Sequence, residues 1–138
     1  MVSIQLDIDW ADLDLYGHVN NVAYYRYMQS ARIAFCDLVG LTVLAEPDKL
    51  SFILAASHCN YKTKLHFPGK ITVETRVSSI NNSSFHLAHT MYDPQGTLAA
   101  TGGDVLVIYD YAAGSKMRIP GPLLKQLEWH HQRGLNTP

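Results

Sequence analysis

The sequence is short of everything that marks a nucleic-acid-binding, membrane-spanning or disulfide-built protein. Its 11 Lys and Arg residues are balanced by 12 Asp and Glu, a formal charge of −1, so it carries no basic footprint for nucleic acid. The basic residues are scattered, without the run expected of a membrane-surface helix. No apolar stretch approaches the ~20 residues that span a bilayer. The opening segment, Met1 to Asp9, alternates and carries acids, unlike a signal or transit peptide. There are two cysteines in the chain, Cys36 and Cys59. Both sit in apolar settings, so buried free thiols in a cytoplasmic protein are expected rather than a disulfide. A Gly-x-Ser-x-Gly elbow, a phosphate-binding loop and a dinucleotide fingerprint are all missing. His86, His89, His130 and His131 lack the spacing with Cys or carboxylates that makes a metal site. No metal or cofactor is expected, and these histidines are read as packed or solvated.

What is present describes one globular domain. Apolar residues make up 47% and charged residues 17% of 138 positions, too apolar for a disordered chain and long enough for a single core. The domain is expected over residues 1–133, with 134–138 as a C-terminal tail. Ser3 to Asp9 alternates as a half-buried strand should. From Asn21 to Val39 the period changes, and Tyr24, Met28, Ala31, Phe35 and Leu38 mark one helix face, with Arg26, Gln29, Arg32 and Asp37 largely off it. Asn20 suits the N-cap and Gly40 the stop. Leu41 to Ser51 is irregular around Glu46-Pro-Asp48.

A β-rich stretch follows. Phe52–Leu65 reads as one long or bulged strand, and Ile71, Val73, Thr75 and Val77 share a face of the next. Asn81-Asn-Ser83 turns into Phe85–Tyr92, and Asp93-Pro-Gln-Gly96 predicts a hairpin. Thr97–Tyr109 is apolar on both faces near Val105–Ile108 and so central. Its Gly102-Gly103 pair predicts a bulge or a close approach of another backbone. A terminal helix is expected from Pro122 to about His131, with Leu123, Leu124 and Leu127 on one side. One long helix and an antiparallel meander must bury their apolar faces together, which gives an α+β two-layer class.

The chemistry is concentrated in Asp12-Leu-Asp-Leu-Tyr-Gly-His-Val-Asn-Asn21. Carboxylates, a glycine and a histidine stand just ahead of a helix start, whose free N–H groups can hold charge developing on a carbonyl oxygen. Asp12 and Asp14 also have a plain reading as turn residues, but Asp14 lies too far ahead of the N-cap to be explained by capping.

Asp12-Leu-Asp-Leu-Tyr-Gly-His-Val-Asn-Asn-Val-Ala-Tyr24 resembles the acyl-thioesterase motif of the hotdog fold, in the 4-hydroxybenzoyl-CoA thioesterase and YbgC-like branch. Its His-Val-Asn-Asn-Val part is also similar to plant acyl-ACP thioesterases. The resemblance implies a sheet wrapped around the Asn21–Val39 helix, and a homodimer with a joined sheet, often paired again as a homotetramer, with active sites at the dimer interface. It implies hydrolysis of acyl-CoA to a free acid and coenzyme A. It places Asp14 on the catalytic carboxylate, Gly17 on the motif glycine, His18 on the plant-type histidine and Asn21 on the backbone oxyanion donor. Tyr16 departs from the plant asparagine, and Asn21 stands where YbgC-like proteins have histidine.

A thioester has an electrophilic carbonyl and a good thiolate leaving group, so a carboxylate can attack it or deprotonate water without a metal. Tyr24, Tyr25 and Tyr27 are expected mainly as packing or interface residues, with Tyr24 also at the substrate. Lys62, Lys64 and Lys70 cluster around the end of the first long strand. They suit either coenzyme A phosphates or an edge protected against aggregation. His66-Phe-Pro-Gly-Lys70 is read as a turn, because a strand and not the long helix follows it. The competing functions are a hotdog hydratase or dehydratase, which needs a His–carboxylate pair, and a non-catalytic acyl-thioester-binding module.

Overall fold

The computed structural model describes residues 1–41 and 50–135. The expected irregular segment around Glu46-Pro-Asp48 and the last three residues of the expected tail lie outside the described residues. In chain order the elements are β1 (Val2–Asp7), a 3₁₀ turn (Trp10–Asp12), α1 (Asn21–Val39), β2 (Ser51–Tyr61), β3 (Lys70–Ile80), β4 (Ser84–Tyr92), β5 (Leu98–Asp110), β6 (Ser115–Lys116) and α2 (Gly121–Leu135). The strands form one antiparallel sheet in the order β1-β3-β4-β5-β2, with the two-residue β6 added to β5. The α+β class and the sheet around a long helix are as the sequence implies. No described helix is long and apolar enough to cross a membrane.

α1 starts where Asn20 in extended backbone accepts the Ala23 N–H on its side chain, and ends where Gly40 turns left-handed. Its buried stripe holds Tyr24, Met28, Ala31 and Phe35, but then passes to Val39, while Leu38 is 57% exposed. At 3.6 residues per turn the stripe drifts around the cylinder, and a fifth position counted at three residues falls outside it. Arg32, placed off the face by periodicity, instead folds its guanidinium inward, leaving that side chain 12% exposed.

β2 is shorter than expected, ending at Tyr61 after a register shift between Leu54 and Ala56. Lys62 and Thr63 still donate their N–H groups to the Ala99 carbonyl, but Lys62–Leu65 has left the ladder. β5 lies between β4 and β2, as its two-sided apolarity requires. Its glycines mark close approach and not a bulge. A Cβ on Gly102 would stand 2.4 Å from Met28 Sδ and 2.7 Å from the His58 carbonyl oxygen. α2 is longer than expected and carries Gly134 inside it, against Arg76.

Two apolar clusters fill the space between helix and sheet. One joins Ala23, Tyr24, Tyr27, Met28 and Ala31 of α1 to Ile71, Val73, Met91, Ala99 and Ala100. The other joins Phe35, Cys36 and Val39 to Val77, Phe85, Leu87, Leu106, Ile108 and the α2 residues Leu123 and Leu127. Cys36 and Cys59 are free thiols, and burial pushes the Cys36 thiol up to about 12.

Candidate active site

The segment between the 3₁₀ turn and α1 is a closed loop built largely from its own backbone. Leu13 bridges Val19, the Asp14 N–H donates to the His18 carbonyl at 2.7 Å, and the Gly17 N–H donates to the Asp14 carbonyl at 3.1 Å. Gly17 closes the turn at φ 75°, a conformation that disfavours any side chain. The loop is anchored at both ends. The Asn20 N–H donates to the Asp12 carbonyl and the Val19 N–H to the Leu65 carbonyl. The buried Asp12 carboxylate pairs with Arg26 of α1.

The two aspartates therefore have different surroundings. Asp12 is tied into the helix, whereas Asp14 is exposed. Asp14 Oδ1 accepts the Tyr16 N–H at 2.8 Å and the His18 N–H at 3.1 Å. Its Oδ2 makes no hydrogen bond among the described residues. The His18 N–H chiefly holds its carboxyl below the usual range; desolvation opposes this, and the Tyr16 N–H and the nearby His18 and Lys64 charges reinforce it, so the net shift is downward. Asp14 is thus an ionised carboxylate with one oxygen fixed and the other open.

Asp14, His18, Val19, Asn21 and Tyr24 share a cleft of about 350 Å³ with Tyr61, Lys62, Thr63 and Lys64. Because the Asn20 side chain serves Ala23, the Asn21 N–H has no partner among the described residues. The Tyr24 hydroxyl donates to the Thr63 carbonyl at 3.3 Å, and the Tyr61 hydroxyl to the Asn21 carbonyl at 3.4 Å. These two bonds hold the start of α1 against the end of β2. Tyr61 and Thr63 were invisible to motif reading, since they lie about forty residues from the helix start they touch and follow no spacing relative to it.

Of the other sequence candidates, Gly17 shapes the loop without lining the cleft. Lys70 is outside the cleft, paired with Asp7 at 2.8 Å. Tyr25 is partly exposed, and Tyr27 is buried with an unpartnered hydroxyl. His66, expected in a turn, lies in the connection from β2 to β3, where its backbone bridges His18 and the two rings meet edge-on at 5.0 Å. A larger hollow of about 720 Å³ lies between α2 and the end of α1. Its described walls offer no carboxylate beside a helix start, so the smaller cleft is the chemical candidate.

A polar cluster that the sequence did not announce separates the two halves of the core. Asp104 of β5 accepts Arg32 at 2.9 Å, Ser57 at 2.7 Å and His89 Nε2 at 2.8 Å, while His89 Nδ1 meets Thr75 Oγ1 at 2.8 Å. Burial pushes the Asp104 carboxyl up, but the bonds from His89, Ser57 and Arg32 outweigh it and the net shift is downward. Ser57 donates to the aspartate and not to His89, so this is not a nucleophile arrangement.

Known proteins are similar to this chain in sequence and in fold. The model of the thioesterase-like superfamily matches residues 8–127. The long-chain acyl-CoA thioesterase FadM of Escherichia coli K12 is 22% identical over 125 residues, 90% of this chain and 95% of that protein. The L-carnitine dehydrogenase/betainyl-CoA thioesterase of Agrobacterium fabrum C58 is 24% identical over 119 residues, 86% of this chain but 24% of that longer protein. A solved thioesterase-superfamily structure from Jannaschia sp. CCS1 superposes with a TM-score of 0.85 at 21% identity, over 94% of this chain and 82% of that one, and so shares the fold. The chain belongs to the thioesterase-like superfamily and is a hotdog-fold thioester hydrolase.

Proposed function

We propose that this protein hydrolyses acyl-CoA thioesters to a free carboxylic acid and coenzyme A, with Asp14 as the attacking group. The observation that carries this reading is the cleft lined by both Asp14, whose Oδ2 makes no hydrogen bond among the described residues, and Asn21, whose N–H has no partner among them. A thioester carbonyl between them would meet a nucleophile on one side and an oxyanion donor on the other. Asp14 Oδ2 adds to the carbonyl carbon, the C–S bond breaks, and the thiolate leaves and takes a proton from water. Water then cleaves the acyl–Asp14 anhydride, releasing the acid and regenerating the carboxylate. The depressed carboxyl pKa supports attack over proton abstraction, because a general base works best with a pKa near the working pH.

His18 sits beside Asp14 as an accessory, and Gly17 sets the turn. Tyr24 contacts the acyl group, and Lys62 and Lys64 meet the coenzyme phosphates at the cleft mouth. A homodimer completes the site. Its support is β2, an eleven-residue strand at the end of the sheet with Ile53 and Leu54 each 38% exposed, an edge suited to a second copy. The hydratase or dehydratase reading is not favoured, since the one imidazole–carboxylate hydrogen bond among the described residues, His89–Asp104, is buried in the core.

Thiol release from a panel of aliphatic and aromatic acyl-CoAs tests the proposal. Wild-type protein should turn over at least one ester, and Asp14→Asn should lower kcat by about 10²–10⁴-fold with correct folding retained. Absence of turnover with every ester sinks the thioesterase activity. Full activity of Asp14→Asn sinks the mechanism and points to water activated elsewhere.

A further inference from the structure

We propose that the acyl site accepts compact acyl groups, short aliphatic or single-ring aromatic, and excludes long chains. This rests on the thioesterase reading above and specifies its substrate class. The relatives do not decide the point, because names with long-chain and with betainyl substrates stand at similar identity. The decision comes from three successive layers between α1 and the β2–β5 pair.

The cleft opens between the start of α1 and the end of β2. An acyl chain entering there and running inward would travel along the helix–sheet interface. Helix positions four apart advance about 6 Å, and strand positions two apart about 6.6 Å, so α1 and the β2–β5 ladder present matched layers. The first layer is Tyr24 with Tyr61, which pairs with Ala100. The two tyrosine rings meet edge-on at 4.9 Å and 87°, and both hydroxyls are hydrogen-bonded across the opening. One turn further in, Met28 is fully buried, its thioether seated on Gly102, which pairs with Cys59. Glycine here makes room for the methionine and not for a ligand. The third layer is Arg32 with Asp104 and Ser57, a buried ion pair and its hydrogen bond.

Within the protomer, a long alkyl chain running inward from the cleft would have to displace the aromatic pair, then the seated methionine, and would then meet a charged group that it cannot solvate. A compact acyl group stops at the first layer, where the tyrosine rings offer an apolar face and edge to an aryl group. The cleft volume of about 350 Å³ is at the low end for small-molecule sites. Tyr24 and Tyr61 are therefore specificity-determining residues, and Met28 stands behind them.

The test is calorimetric binding of benzoyl-, butanoyl-, octanoyl- and dodecanoyl-CoA to the Asp14→Asn protein, with thiol release by wild-type protein followed on the same esters. Benzoyl- and butanoyl-CoA should bind at least about 10-fold more tightly than dodecanoyl-CoA. Adding Tyr61→Ala, on the partly exposed edge strand where folding is least at risk, should narrow that gap. Dodecanoyl-CoA binding as tightly as the compact esters overturns the proposal. So does a gap that Tyr61→Ala leaves unchanged, or no binding by any ester. Thiol release reads the thioesterase activity separately: long-chain binding with turnover defeats only the size restriction, whereas binding without wild-type turnover defeats the hydrolase reading.

Discussion

At the scale of single residues, two aspartates separated by one leucine do unlike things because of what their oxygens touch. Asp12 is buried and paired with Arg26, so its charge serves the loop–helix junction. Asp14 lines the cleft with one oxygen held by two backbone N–H groups and the other without a hydrogen bond among the described residues. Since those N–H bonds hold its pKa down, the acid limb of kcat/KM is expected below the ordinary aspartate value of about 3.9. Activity is then present above that limb and falls as pH drops through it. A pH–rate profile checks this, and a limb near neutrality would assign proton abstraction in place of attack. In sequence, Asp14 was set apart from Asp12 by the motif resemblance, which places the second aspartate on the catalytic carboxylate, since both stand too far from the helix for capping. The intraloop bonds of Asp14 were not legible there, since they depend on the left-handed turn at Gly17.

At the scale of elements, α1 was readable from its period and caps because a helix is a local structure. Its inner face was readable only to Phe35, beyond which Val39 replaced Leu38. The strands were readable from alternation, and the Asp93–Gly96 hairpin from turn chemistry, with Asp93 Oδ1 taking the Gln95 and Thr97 N–H groups. The end of β2 was not, because it is set by pairing with β5 and not by composition. β2 also carries the clearest element-level prediction. Ile53→Lys puts a charge on its exposed edge, which should discourage pairing with a second copy. Sedimentation should then show a shift from dimer to monomer, with turnover falling in parallel. A wild-type monomer with full activity would contradict the shared-site arrangement.

At the scale of the whole molecule, the polar cluster divides the core in register. Between the two apolar clusters lie Arg32 on α1, Thr75 on β3, His89 on β4 and Asp104 on β5. Removing one charge strands its partner in the interior, so Asp104→Asn is expected to lower unfolding free energy by about 3–5 kcal/mol, measurable by denaturant titration. The folded-state pKa of Asp104 lies below its unfolded value. Its contribution is therefore present above about pH 4, the ordinary carboxylate range, and is lost as pH falls through the folded pKa. Asp104→Asn should accordingly flatten the acid limb of the stability curve. No periodicity announced this cluster: Arg32 read as a flank residue, Thr75 as one of four on an apolar face, and His89 as an unremarkable histidine. The sequence by itself determined the class of fold, the helix with its caps, the turns and the Asp14 loop, because each follows from interactions within a few residues. Only the tertiary structure decided what closes the cleft and what splits the core. Those depend on the packing of α1 against the sheet and the segment after β2, which brings Tyr24 to Thr63, and Arg32 to Asp104 across 72 residues, and local sequence carries no record of such pairings.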